Sequence, residues 1–92
     1  MSMTDLNKIR QLIHNRLHVR WVFEGNIAAV TLQGKPFTGE HWTTDGGSAV
    51  HFSFDTHGLL VGRINAYNAT TQTSSALADI EVFEEWLKKV TK

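Results

Sequence analysis

The chain has 92 residues, 41% of them apolar and 20% charged, which suits one small folded domain and is unlike a disordered segment. Nine basic residues balance nine acidic ones, so the broad positive field used by most nucleic-acid and anionic-membrane binders is missing, and nucleic acid is not an expected partner. There is no cysteine, which excludes disulfides, thiolate metal sites and cysteine nucleophiles.

The first residues are polar and fall at once into helical periodicity. Leu6, Ile9, Leu12, Ile13 and Leu17 recur at spacings of three and four, with Thr4 or Asp5 placed to cap the start. No apolar run has signal-peptide or membrane-spanning length, so a cytoplasmic protein without a membrane segment is expected.

"HVRWVFEGNIAAVTLQ" follows, rich in β-branched and aromatic residues around Gly25 and Asn26. That pair suits the positive dihedrals of a two-residue hairpin turn. The register it implies sets Phe23 opposite Ala28, Trp21 opposite Val30 and Val19 opposite Leu32, leaving one face apolar. "GKP" at 34 to 36 then breaks the second strand, and a third is expected over Phe37 to Thr44. "TDGGS" at 44 to 48 reads as a turn, because it lacks the lysine and following helix of a phosphate loop. Val50, Phe52 and Phe54 alternate with Ala49, His51 and Ser53 along a fourth strand. The fifth runs from Leu59 to Tyr67 and is interrupted by Gly62, a bulge signal.

"NATTQTSS" from Asn68 to Ser75 reads as a polar connector. Beyond it Ile80, Phe83, Leu87 and Val90 form a helical stripe widened by Leu77, Val82 and Trp86. Acidic residues lead and Lys88, Lys89 and Lys92 follow, which complements the helix dipole and permits Glu84–Lys88 and Glu85–Lys89 pairs. The elements add up to a single α+β domain over residues 1–92, of order αβββββα. It is an antiparallel meander of about five strands with an N-terminal and a C-terminal helix on one face.

The densest group of reactive side chains lies in "HFSFDTHGLL", residues 51 to 60. Turn chemistry accounts for it: Asp55 caps backbone N–H groups, Gly58 takes the strained dihedral, and His51 and His57 diverge, so no metal or cofactor is expected. His14 and His18 are four apart but lack the glutamate of a zinc-enzyme helix. Glu40 and His41 of "EHWTTD" point to opposite faces of a strand and do not form an acid–base pair with Asp45. No catalytic set emerges, and an enzyme is less expected than a binding protein.

Trp42, flanked by Thr38, Glu40 and Thr44 on one strand face, is the candidate anchor of a protein–protein surface, unless it packs beneath a helix. The expected partner is a protein, either a second copy forming a homodimer through the Phe37–Thr44 strand or a larger partner served by an adaptor or inhibitor of the kind mobile elements carry. "SAVHFSFDTHGLLVGRINAYN", residues 48 to 68, resembles the late hairpin of SnoaL-like members of the NTF2-like superfamily. That resemblance implies the alternative of a small-molecule-binding or weakly catalytic cone, with Trp21, Phe23, His51, Phe52 and Phe54 as its pocket residues.

Overall fold

The computed structural model describes residues 3–15 and 20–90. Helix α1 (Asp5–His14) precedes strands β1 (Trp21–Val30), β2 (Pro36–Thr44), β3 (Ala49–Asp55), β4 (Leu60–Asn68) and β5 (Thr73–Leu77), and helix α2 (Ile80–Val90) closes the order. The strands form one antiparallel meander in the order β1-β2-β3-β4-β5. This is the α+β, αβββββα architecture expected from the sequence.

Two of the five strands differ from the expected ones, and the differences cancel in the count. Gly25 and Asn26 do not turn the chain. β1 runs straight through them and pairs with β2 along its whole length, with an irregularity between Phe23 and Gly25. Gly25 does adopt a positive φ of 131°, so its backbone freedom serves a bulge that leaves Glu24 as the extra residue. The hairpin turn lies at Thr31–Lys35, where Thr31 exchanges backbone hydrogen bonds with Lys35 and Gly34 and its hydroxyl accepts from the Lys35 N–H. The expected facing of Val19 with Leu32 involves a residue outside the described set, as do Leu17, His18 and Lys92.

The second difference is β5, which takes the last three residues of the expected connector, Thr73 to Ser75, and takes Leu77 out of the helical stripe. Its one threonine and two serines pair with β4, and Leu77 turns inward opposite Ile64. A polar edge strand has too little apolar alternation to announce itself locally. Gly62 marks a bulge as expected: His51 pairs with Asn65 and Ser53 with Val61, so β4 carries two residues more than β3 between these points. Leu60, not Leu59, faces Phe54.

Both helices lie on one face of the sheet. Ile9 and Ile13 of α1 and Phe83, Trp86 and Leu87 of α2 join Trp42, Val50, Phe52, Ile64, Ala66 and Leu77 in one buried cluster. The Thr4 hydroxyl accepts the Asn7 N–H at the start of α1. The same helix end is tied to the β3–β4 turn by Leu6 N–H to Gly58 carbonyl and Leu60 N–H to the Asp5 carboxylate, both 2.9 Å. Gly58 has φ +76°, and a Cβ there would meet the Thr4 Cβ at 3.0 Å, so both dihedral and space require glycine. Asp79 caps α2 by accepting the Val82 N–H. On the outer surface of α2 the ion pair is Glu85–Lys88 at 3.2 Å, one turn position tighter than the expected pairs.

Neighbouring residues of α2 should report this docking face. Phe83 is fully buried, so Phe83→Ala should cost about 3 to 5 kcal/mol. Val82, expected on the same stripe, is exposed, and Val82→Ala should stay within about 0.5 kcal/mol. Urea denaturation of the two variants checks the contrast; equal midpoints would contradict the packing.

Candidate functional site

Of the expected interface residues Glu40 and Trp42 are buried and Thr38 and Thr44 half-buried. Thr38, Glu40, Trp42 and Thr44 share the helix-facing side of β2, and β2 is an inner strand between β1 and β3 and offers no free edge. Trp42 keeps only 9% exposure. Its ring packs edge-on against His14 of α1 and against Phe23 of β1, with centroids at 6.3 and 5.1 Å. The alternative in which this indole packs beneath a terminal helix is the one the fold adopts.

Glu40 is fully buried, and its carboxylate is the polar centre of this layer. Arg10 of α1 donates to both carboxylate oxygens, and the Trp42 indole N–H donates to Oε1 at 3.1 Å. A buried carboxylate is tolerable only when paired and hydrogen-bonded, and a guanidinium supplies both through its planar fork. Arg10 was not singled out by the sequence. The available signal was a glutamate alternating with a Trp in a strand that must have one covered face, which demands a cation from a neighbouring element. Glu40 thus clamps a helix to the sheet and is turned away from His41, while Asp45 lies exposed in the following turn.

The residues of the expected cone pocket are split between two faces. Phe52 is fully buried, and Phe54 and Trp21 pack against the same cluster. Trp21 meets Trp86 at a centroid distance of 6.3 Å, Phe23 is partly exposed at the margin, and His51 points to the opposite side of the sheet. Trp21, Phe52 and Phe54 thus share one packed cluster with residues of both helices.

Among the described residues, that opposite side of the sheet carries no helix. Register places His41, His51, Asn65 and Ala76 in one row across β2 to β5, and Thr43, Ala49, Tyr67 and Ser74 in the next. All of these but Thr43 line a shallow depression of about 470 Å³. His41 and His51 stand side by side with centroids 6.1 Å apart, and the His51 ring lies over Gly39, where a Cβ would come within 2.9 Å of Nε2. Burial first, and the His41 imidazole second, hold the His51 pKa below the ordinary histidine value. At the neighbouring turn the Asp55 carboxylate accepts the His57 and Leu59 N–H groups at 2.8 and 3.0 Å, and the Leu59 bond leads in holding its pKa down. The dense stretch from His51 to Leu60 is thus a capped hairpin turn with His51 on the open face. No three histidine, aspartate or glutamate side chains converge on a common point among the described residues.

The most exposed apolar surface lies elsewhere, on the outer half of β1 and its turn. All five residues from Asn26 to Val30 are exposed, with Ile27 at 64% and Val30 at 66%, and Leu32 at the tip is fully exposed. The sequence does not announce this surface, because a turn at Gly25–Asn26 would fold these residues back on Trp21 and Phe23. Their hydrophobicity was visible, but their position at a free edge was not. No family model, curated protein or solved structure matches this chain.

Two measurements probe these arrangements. Arg10→Ala strands the Glu40 carboxylate in the core and should cost about 3 kcal/mol, at the low end for a broken buried pair because the Arg10 side chain keeps 41% exposure. An unchanged denaturation midpoint would show that the pair does not hold α1. For His51, a lowered folded-state pKa means the unfolded chain binds more protons between that value and the ordinary one. Its contribution to stability is therefore present above the ordinary value and is lost as pH falls through that window. NMR titration should place the His51 midpoint below the ordinary histidine value, and His41→Asn should raise it only part of the way, since burial remains.

Proposed function

We propose that this chain is a non-enzymatic binding protein that acts through a protein–protein surface, as an adaptor or inhibitor of a larger partner or by self-association, and that the outer half of β1 is that surface. The observation that carries this reading is the run of exposed residues from Asn26 to Val30 along an edge strand, continued by Leu32. A free strand edge offers unpaired N–H and C=O groups to an incoming strand, and exposed side chains on both faces give that pairing its specificity.

The distribution of reactive groups favours binding over catalysis. Glu40 is engaged by Arg10 and Trp42, Asp55 by its own turn, and Asp5 by Leu60 and its helix end. His41 and His51 remain accessible, but the aligned rows around them hold neutral side chains, Asn65, Tyr67 and Ser74 among them. Balanced charge favours a protein partner over nucleic acid. No helix among the described residues is long and apolar enough to cross a membrane, and a cytoplasmic setting belongs to the same proposal.

Affinity capture of the tagged chain from its native host, quantified by mass spectrometry, tests the assignment when wild type is run beside Ile27→Lys. A host protein held by wild type and lost at least tenfold with Ile27→Lys is the expected result. Equal recovery with both chains would move the surface away from β1.

A further inference from the structure

β1 and β5 are the two edges of the sheet, and they are unlike each other. β5 is five residues long and is built of threonine, serines, one alanine and the inward Leu77. β1 is ten residues long, and its outer half lacks the usual protection of an edge: Gly25 to Gly34 contains no lysine, no proline and no charge of either sign. The bulge at Glu24 interrupts only the inner part of the strand. Asn26, Ala28 and Val30 share the helix side of the sheet with Trp21 and Phe23, yet all three are exposed, so this stretch is free of cover on both faces.

We propose that a second copy of this chain occupies this edge, pairing β1 with β1 antiparallel across a two-fold axis perpendicular to the sheet. This rests on the reading of β1 as the binding surface and names its occupant. An uncharged strand calls for an uncharged partner strand, and the chain itself supplies one, with no net charge to oppose association. An axis in that orientation joins like faces, so any residue on the axis pairs with itself and side chains alternate in step on both strands.

Centring the pair on Ala28 sets Ile27 against Ala29 of the partner subunit, and Val30 against Asn26 of the partner subunit. Large side chains then lie beside small ones, and Glu24 falls beyond the apolar centre. Centring it on Ile27 would instead press Val30 against Glu24 of the partner subunit. The product is a continuous ten-stranded sheet with four helices on one face. Pairing β1 with β5 of another copy would leave a free edge at each end and grow without closing, whereas the two-fold arrangement closes at two.

The absence of cysteine from the chain makes the test clean. Light scattering at high micromolar concentration should report about twice the 10.4 kDa chain mass. Ala28→Cys should oxidise to a covalent dimer, since directly opposed residues of antiparallel strands bring their Cβ atoms to about 4.5–5.5 Å. Ser74→Cys on β5 should not. Ile27→Lys should return the protein to monomer mass with an unchanged circular dichroism spectrum and melting temperature. A wild-type monomer, or an Ala28→Cys chain that stays uncrosslinked under oxidant, overturns the pairing. If wild type is monomeric while Ile27→Lys still loses the captured host protein, the second copy is wrong and the β1 surface stands. If Ile27→Lys alters neither mass nor capture, both fall.

Discussion

The clamp of Arg10 on Glu40 is the constraint around which the rest of the molecule is arranged. A carboxylate with no solvent exposure in the middle of a five-stranded sheet is a large cost unless it is met by charge and by hydrogen bonds. Arg10 meets it from α1, and Trp42 meets it from the same strand two residues on. The guanidinium can reach only if α1 lies across β2 with Ile9 and Ile13 facing the sheet, so the electrostatic requirement and the apolar stripe select the same docking angle. Buried ion pairs add little net stability compared with apolar replacements, but losing one partner is severe. A helix set down one turn out of place would leave Glu40 buried with the Trp42 indole but without its cation.

With α1 so fixed, the covered part of the sheet is also fixed. α2 closes the same face through Phe83, Trp86 and Leu87, and its Trp86 reaches Trp21 at the inner end of β1. Cover ends at Phe23, which is already partly exposed. Two short helices of ten and eleven residues each span only about 15 Å at a rise of about 1.5 Å per residue. The β1–β2 hairpin continues past their reach. The exposed arm is thus a geometric result of short helices on a long hairpin, and it carries no charge from Gly25 to Gly34.

Glycine sets the local shape of the sheet in the same way at several points. Gly25 lets β1 absorb an extra residue and stay on course, and Gly62 does this for β4. Gly39 leaves room for the His51 ring to lie across β2, which brings the imidazole beside His41 and partly out of water. The open face gains a shallow, neutral depression from this packing. None of these effects comes from a side chain at the glycine itself; each follows from the lack of one.

The sequence by itself determined the element order, the fold class and the inward residues wherever periodicity was strong. Ile9 and Ile13 at helical spacing, Val50 and Phe52 at strand spacing, and Phe83 and Leu87 in the last helix are all buried as their patterns require. The Asp55–Gly58 turn was legible too, because capping and positive φ are local chemistry. Tertiary structure decided what local pattern leaves open. A positive-φ glycine serves a turn or a bulge equally well, and only the pairing of Phe23 with Trp42 across the strands makes Gly25 a bulge. A run of serine and threonine becomes a strand when β4 offers an edge to pair with. Whether Trp42 anchors an interface or a core depends on where α1 lands, which is settled by a bond between residues thirty positions apart. The candidate surface on β1 was hidden for the same reason. Its residues were visible in the chain, but exposure belongs to the finished packing, where the helices stop short of the strand.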